Sequence, residues 1–188
     1  PRLIGPFART HPGIDIRLTV TNREGLLPRI RARQDDLYVL GAVPGDLGVA
    51  HRRLAPNRIM LLAAPDHPLA GRRGTELAEL AQWPLILREP GSGTRRAVED
   101  AFERQGVEPL IRHELGANEA VKQAAMAGLG IAALSEGAAR LELDHGYLVA
   151  LDVRGFPLER YWSLAWHPDR RLSTAAERLR DSLAELRD

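Results

Sequence analysis

Residues 85–115 read LILREPGSGTRRAVEDAFERQGVEPLIRHEL, and this stretch decides the fold. Leu85-Ile86-Leu87 is a short apolar run of strand type, and Pro90-Gly91-Ser92-Gly93 is a turn. A helical pattern follows from about Gly93 to Gln105, and Leu110 to Leu115 makes a second strand. Strand, Gly-rich turn, helix, strand is the unit of a parallel sheet flanked by helices.

The same alternation extends in both directions. Downstream, Asn118 caps a helix to Gly128, Ile131–Leu134 is a strand, and Leu148–Val153 and Tyr161–Trp166 are two more. Thr174 and Glu177 form a capping-box pattern ahead of Leu179, Leu183 and Leu186, which share one face of a last helix. Upstream, Leu3, Ile4, Phe7 and Ala8 recur at helical spacing until His11-Pro12-Gly13 stops them. Ile14 to Val20 then alternates as a strand. Asn22 is the N-cap of a helix carrying Leu26, Leu27 and Ile30, and Leu37–Leu40 runs apolar into Gly41. Ile59–Ala64 is a strand and Glu76–Ala81 a short helix.

Pro65-Asp66-His67-Pro68 interrupts this series, so we place a hinge at Ala64-Pro65, with the return at Val149-Ala150. The expected architecture is α/β, with one lobe from residues 1–64 and 151–188 and a second from 65–150. Two crossover segments join the lobes, and a ligand cleft lies between them.

Composition restricts the function. With 188 residues and 44% hydrophobic content the chain can bury a core of this size. The 26 basic and 25 acidic residues leave a net charge of +1, too little to grip a nucleic acid backbone. Lys122 is the only lysine, and the absence of cysteine excludes disulfides, thiolate metal sites and cysteine nucleophiles. The sequence shows no signal-like start and no stretch of about 20 apolar residues that would span a membrane. It also lacks an initiator Met.

The richest chemistry lies in Arg88-Glu89-Pro90-Gly91-Ser92-Gly93-Thr94-Arg95. Free backbone N–H groups at a helix start favour a carboxylate or phosphate, Ser92 and Thr94 add hydroxyls, and Arg95 adds charge. The plain alternative is that Ser92 or Thr94 only caps the helix. No Gly-Lys-Ser/Thr follows, and Pro90 stands where a nucleophile elbow needs glycine, so neither a Walker loop nor that elbow is present. Gly116-Ala117-Asn118-Glu119 opens the next unit in the same way, with Asn118 either at the site or capping. Asn22-Arg23-Glu24 and the loop around Gly45-Asp46 are the counterparts in the other lobe. The six histidines lack metal-ligand spacing and read as surface residues, Asp35-Asp36 has no companion base, and Trp83, Trp162 and Trp166 read as core.

Five segments in series also resemble the effector domains of LysR-type transcription regulators. They are His11-Pro12-Gly13 with Ile14–Leu18, Asp36–Val39, Ala64–Ala70, Arg88–Arg95, and Asn118–Lys122 through Ala127–Ala132. The pattern is most similar to the branch that controls carbon-fixation operons. The resemblance implies a periplasmic-binding-protein-like fold and a small anionic effector: a sugar phosphate, a nucleotide or a carboxylate. It implies that Ser92, Gly93, Thr94 and Arg95 hold the anionic part, with Asn118, Glu119, Gly45, Asp46 and Asn22 around it. It further implies a cytoplasmic homodimer or tetramer, DNA contact only through a separate helix-turn-helix domain, no cofactor, no metal and no membrane partner. Such domains begin with a strand and a Ser/Thr-bearing loop, whereas this chain opens at the helix. One strand and one wall of the effector site are therefore expected to be missing. An exported solute-binding protein shares the fold and is the alternative. An enzyme would need a nucleophile, base and orienter that these residues do not supply.

Overall fold

The computed structural model describes residues 4–185, so Leu3 and Leu186 lie outside the described residues. The chain divides into two compact units, Pro1–Pro56 with Tyr161–Asp188, and Asn57–Arg160.

In the first unit, α1 (Ile4–Thr10) and α2 (Arg23–Arg31) precede β1 (Tyr38–Leu40) and β2 (Ala50–Pro56). The chain returns as β8 (Tyr161–Trp166) and α7 (Thr174–Glu185). The sheet order is β1-β8-β2 and both pairings are antiparallel. Ile30, Tyr38, Leu40, Leu47 and Ala165 form its core. Asn22 caps α2 as expected, its Oδ1 accepting from the Gly25 N–H at 3.0 Å.

Several expectations for this unit fail. Ile14–Val20 is not a strand: no described segment pairs with it, and Leu18 and Val20 are 57% and 84% exposed. Alternation alone cannot make a strand without a neighbour to complete its ladder. Ser173, not Thr174, caps α7, its Oγ accepting from the Ala176 N–H at 3.2 Å. β2 was not foreseen, because Ala50-His51-Arg52-Arg53 carries no apolar alternation. His167 is buried and meets the Ile30 carbonyl at 2.8 Å, and Trp162 is 38% exposed, so neither fits its expected place.

The second unit contains β3 (Ile59–Ala63), α3 (Leu77–Leu80), β4 (Leu85–Arg88), α4 (Gly93–Arg104) and β5 (Ile111–Leu115). It continues with α5 (Asn118–Met126), β6 (Ile131–Ser135), α6 (Arg140–Asp144) and β7 (Val149–Ala150). Its sheet runs β5-β4-β6-β3-β7. The expectation of parallel strands holds for β5, β4 and β6; β3 is antiparallel to both of its neighbours. Side chains alternate between the two faces. Leu61, Ala63, Leu85, Leu87, Ile131 and Ala133 meet Leu80, Ala97, Val98 and Phe102 on one side. Leu62, Ile86, Ala132 and Leu134 meet Val121 and Ala125 of α5 on the other. With both faces covered, the strands read as unbroken apolar runs.

The expected hinge is corrected. Ala63 pairs with Val149 and Leu62 with Ala150, so Ala64, Pro65, Val149 and Ala150 lie in or beside the second unit's own sheet. Pro65–Pro68 merely turns the chain after β3, the His67 N–H donating to the Ala64 carbonyl at 3.0 Å. The connections between units instead fall at Pro56–Asn57 and Arg160–Tyr161. The Asn57 N–H donates to the Arg160 carbonyl at 2.7 Å.

Candidate functional site

The carboxyl ends of parallel strands, where helices begin, are the usual ligand-binding margin of an open α/β sheet. In the second unit this margin holds Arg88-Glu89 at the end of β4, the first turn of α4, Leu115-Gly116 at the end of β5, and the first turn of α5. Gly91, at φ +87°, takes the left-handed turn that lets the chain enter α4.

Ser92 stands at the N-cap position of α4 and is only 5% exposed, yet its side chain makes no capping hydrogen bond. The Arg96 N–H donates to the Ser92 carbonyl. The N–H groups of Gly93, Thr94 and Arg95 are thus the first-turn donors that intrahelical bonding leaves over. This corrects the simple capping alternative and leaves a helix start suited to an oxyanion.

Arg95 does not carry free charge there. Its Nε lies 2.6 Å from Glu99 Oε1, and its Nη1 lies 3.0 Å from Glu114 Oε2 and 3.3 Å from the Arg88 carbonyl. The bond to Glu114, then that to Glu99, holds the guanidinium above its ordinary value against the opposing effect of burial. Arg95 therefore ties β5 to α4.

Arg88 is the other cation at this margin. It grips Glu89 through two bonds, Nε to Oε2 at 2.7 Å and Nη2 to Oε1 at 3.0 Å. It also donates to Asn118 Oδ1 and, at 3.4 Å, to the Gly116 carbonyl. Asn118 is thus the first helical residue, not the cap: Ala117 holds the cap position, and the Asn118 amide faces Arg88. Glu119 is exposed and lies 2.8 Å from Lys122, whose bond holds its carboxyl below the ordinary range.

The structure thus gathers Ser92, Gly93, Thr94, Arg95 and Asn118 at one sheet margin, with Glu119 turned to Lys122. In the first unit, Asn22 caps the start of α2 while Asp46 pairs with Arg31 at the end of the same helix, at 3.1 Å. Asn22 and Arg31, the partner of Asp46, stand at opposite ends of α2, nine residues and roughly 13 Å of rise apart. Sequence reading overlooked Arg88 and Glu89 as site groups, although a charged pair directly after an apolar strand marks a strand end. Among the described residues no group of His, Asp and Glu is arranged to hold a metal, and no helix is long and apolar enough to cross a membrane.

The family described as the LysR substrate binding domain matches residues 1–188. The RuBisCO operon transcriptional regulator of Acidithiobacillus ferrooxidans is 47% identical over 173 residues, covering 92% of this chain and 56% of that protein. The HTH-type transcriptional activator CmpR of Synechocystis sp. is 40% identical over 183 residues, covering 97% of this chain and 60% of that protein. The chain therefore spans a little over half the length of these curated relatives. Among solved structures, the regulatory domain of Synechocystis PCC6803 CcmR in complex with 2-PG is 38% identical. The likeness covers 97% of this chain and 88% of that one, with a TM-score of 0.93.

Proposed function

We propose a function from one premise: this chain belongs to the LysR substrate binding domain family, with the periplasmic-binding-protein-like fold of that family. It is the effector-sensing part of a bacterial transcription regulator and binds a small anionic metabolite. The observation that carries this reading is the donor-rich start of α4, which has no acidic residue in its first turn, in a chain whose 38%-identical neighbour holds 2-PG.

In this reading the N–H groups of Gly93, Thr94 and Arg95 and the hydroxyls of Ser92 and Thr94 bind the anion. Arg88 lends charge by loosening its grip on Glu89, and Asn118 steadies Arg88. Arg95 acts as a positioning residue that fixes the first turn of α4. Occupancy biases a conformational equilibrium of the regulator, and a separate helix-turn-helix domain reports it to DNA. The work is coupling rather than catalysis, it takes place in the cytoplasm, and the regulator acts as a dimer or tetramer. Transport is the weaker reading, because the relatives named above are transcription regulators.

Calorimetric titration of the 188-residue chain with 2-PG tests the proposal. Binding is expected, and Thr94→Ala should weaken it by roughly 1.5–3 kcal/mol, one hydrogen bond to a charged group. Unchanged affinity in Thr94→Ala removes the α4 start from the site. Absence of binding to 2-PG and to inorganic phosphate overturns the anion-sensing reading.

A further inference from the structure

β4, β5 and β6 are parallel, so their carboxyl ends share one margin of the sheet. β3 runs antiparallel to β6 with Ile59 opposite Ser135, so the start of β3 reaches that same margin. The topology therefore brings Asn57, two residues ahead of β3, to the end of the sheet that carries Arg88, Ser92 and Asn118. Across the margin the order is β5, β4, β6, β3.

Asn57 is held there by backbone contacts. Its N–H donates to the Arg160 carbonyl at 2.7 Å, and the neighbouring Arg58 carbonyl accepts from the Glu136 N–H at 2.8 Å. Arg58 Nε also donates to Glu136 Oε2 at 2.8 Å. The side chain is treated differently. Asn57 is only 8% exposed, and its Oδ1 is buried without a hydrogen-bond partner among the described residues. A buried amide oxygen left unmatched destabilises a fold and is rare, and leucine, of similar size, would serve packing better.

We infer that Asn57 is a further effector-contacting residue, whose amide oxygen accepts a hydrogen bond from a hydroxyl of the bound molecule. The inference rests on the function proposed above and narrows its ligand class to an anion that also carries a hydroxyl, such as a phosphorylated polyol or sugar. A helix start recognises the anionic group, and Asn57 selects by the hydroxyl. Selection of this kind arises because a ligand lacking the hydroxyl leaves a buried polar group unpaired.

The test compares glycerol 1-phosphate with propyl phosphate on the 188-residue chain, with 2-PG as reference ligand. The wild type should prefer glycerol 1-phosphate by about fivefold, the effect of one neutral hydrogen bond. Asn57→Leu should lose that preference while binding propyl phosphate as the wild type does, which also reports that the variant is folded. Equal preference in both proteins, or no preference in the wild type, overturns the inference and leaves anion sensing intact. Failure of the wild type to bind any of the three compounds overturns the proposed function itself. A second readout needs no variant: the Asn57 side-chain NH2 resonance should shift with glycerol 1-phosphate and not with propyl phosphate. A resonance indifferent to both refutes the contact.

Discussion

Replacing Lys122 by methionine should destabilise the second unit more than any loss of a surface charge would. The Lys122 Nζ lies 2.7 Å from Glu142 Oε1 and 2.8 Å from Glu119 Oε2. The bond to Glu119, then that to Glu142, holds the amine above its ordinary value, so it is fully charged at neutral pH. The two carboxylates are not equivalent. Glu119 is exposed, and such a bridge contributes at most about 1 kcal/mol. Lys122 and Glu142 have side chains only 11% and 9% exposed, and Glu142 Oε2 has no hydrogen-bond partner among the described residues. Removing the ammonium strands a carboxylate that water scarcely reaches, a change that costs about 3–5 kcal/mol in buried pairs. At roughly 2–4 °C per kcal/mol for a chain of this size, Lys122→Met should lower the melting temperature by about 6–20 °C. Calorimetric melts at pH 7 measure it. Lys122→Met combined with Glu142→Leu should recover most of the loss, since an apolar pair of similar volume replaces a buried ion pair at little cost. A single variant within about 1 kcal/mol of wild type, or a double variant no better than the single, refutes the reasoning.

Three more outcomes follow from the geometry. His67 stacks edge-on against Trp83, and its Nδ1 accepts from the Leu69 N–H at 3.1 Å; burial holds it below its ordinary 6.5. A lowered histidine contributes stability that is complete above 6.5 and declines as pH falls below it, so His67→Asn, which keeps an acceptor, should flatten the melting temperature between pH 7 and 5. A slope equal to wild type assigns the effect elsewhere. Gly130 sits at φ +150°, and a Cβ there would lie 2.3 Å from the Pro84 carbonyl oxygen, which accepts from the Ile131 N–H between β4 and β6. Gly130→Ala should cost roughly 1–3 kcal/mol from backbone strain alone. Gly106→Ala, at φ +64° with open space around it, should cost less, and equal chemical-denaturation midpoints would contradict this. Glu89→Gln should free Arg88 for an incoming anion and tighten 2-PG about tenfold, or roughly 1.4 kcal/mol; weaker binding in calorimetry would make Glu89 a supporting group rather than a competitor.

How far the sequence could be read depended on what each signal measures. Leu85–Arg88, the α4 pattern and Tyr161–Trp166 were legible because Leu85, Ile86, Leu87, Val98, Phe102, Leu164 and Ala165 are buried in apolar layers. Ile14–Val20 carries an equally good alternation and is no strand, since pattern reports which side chains are apolar and not whether a neighbouring ladder exists. β2 was invisible for the opposite reason: Arg52 and Arg53 lie on a strand, their guanidinium groups over the rings of Trp166 and Tyr161. Those pairings join residues more than a hundred positions apart. The helix starts were legible as places, but the roles of their side chains were not. Arg95 looked like a free cation until Glu99 and Glu114 were found beside it, and Asn118 looked like a cap until Arg88 took its amide. Asn57 had no signal at all, because only the antiparallel return of β3 brings it to the site margin.

The most direct test of the central claim is a crystal structure of this chain with 2-PG. An anionic group of the ligand should lie within hydrogen-bonding distance of the first-turn N–H groups of α4 and the Thr94 hydroxyl, with Arg88 turned from Glu89 toward it. A ligand bound elsewhere, with Arg88 still paired to Glu89 and the start of α4 unoccupied, would contradict it.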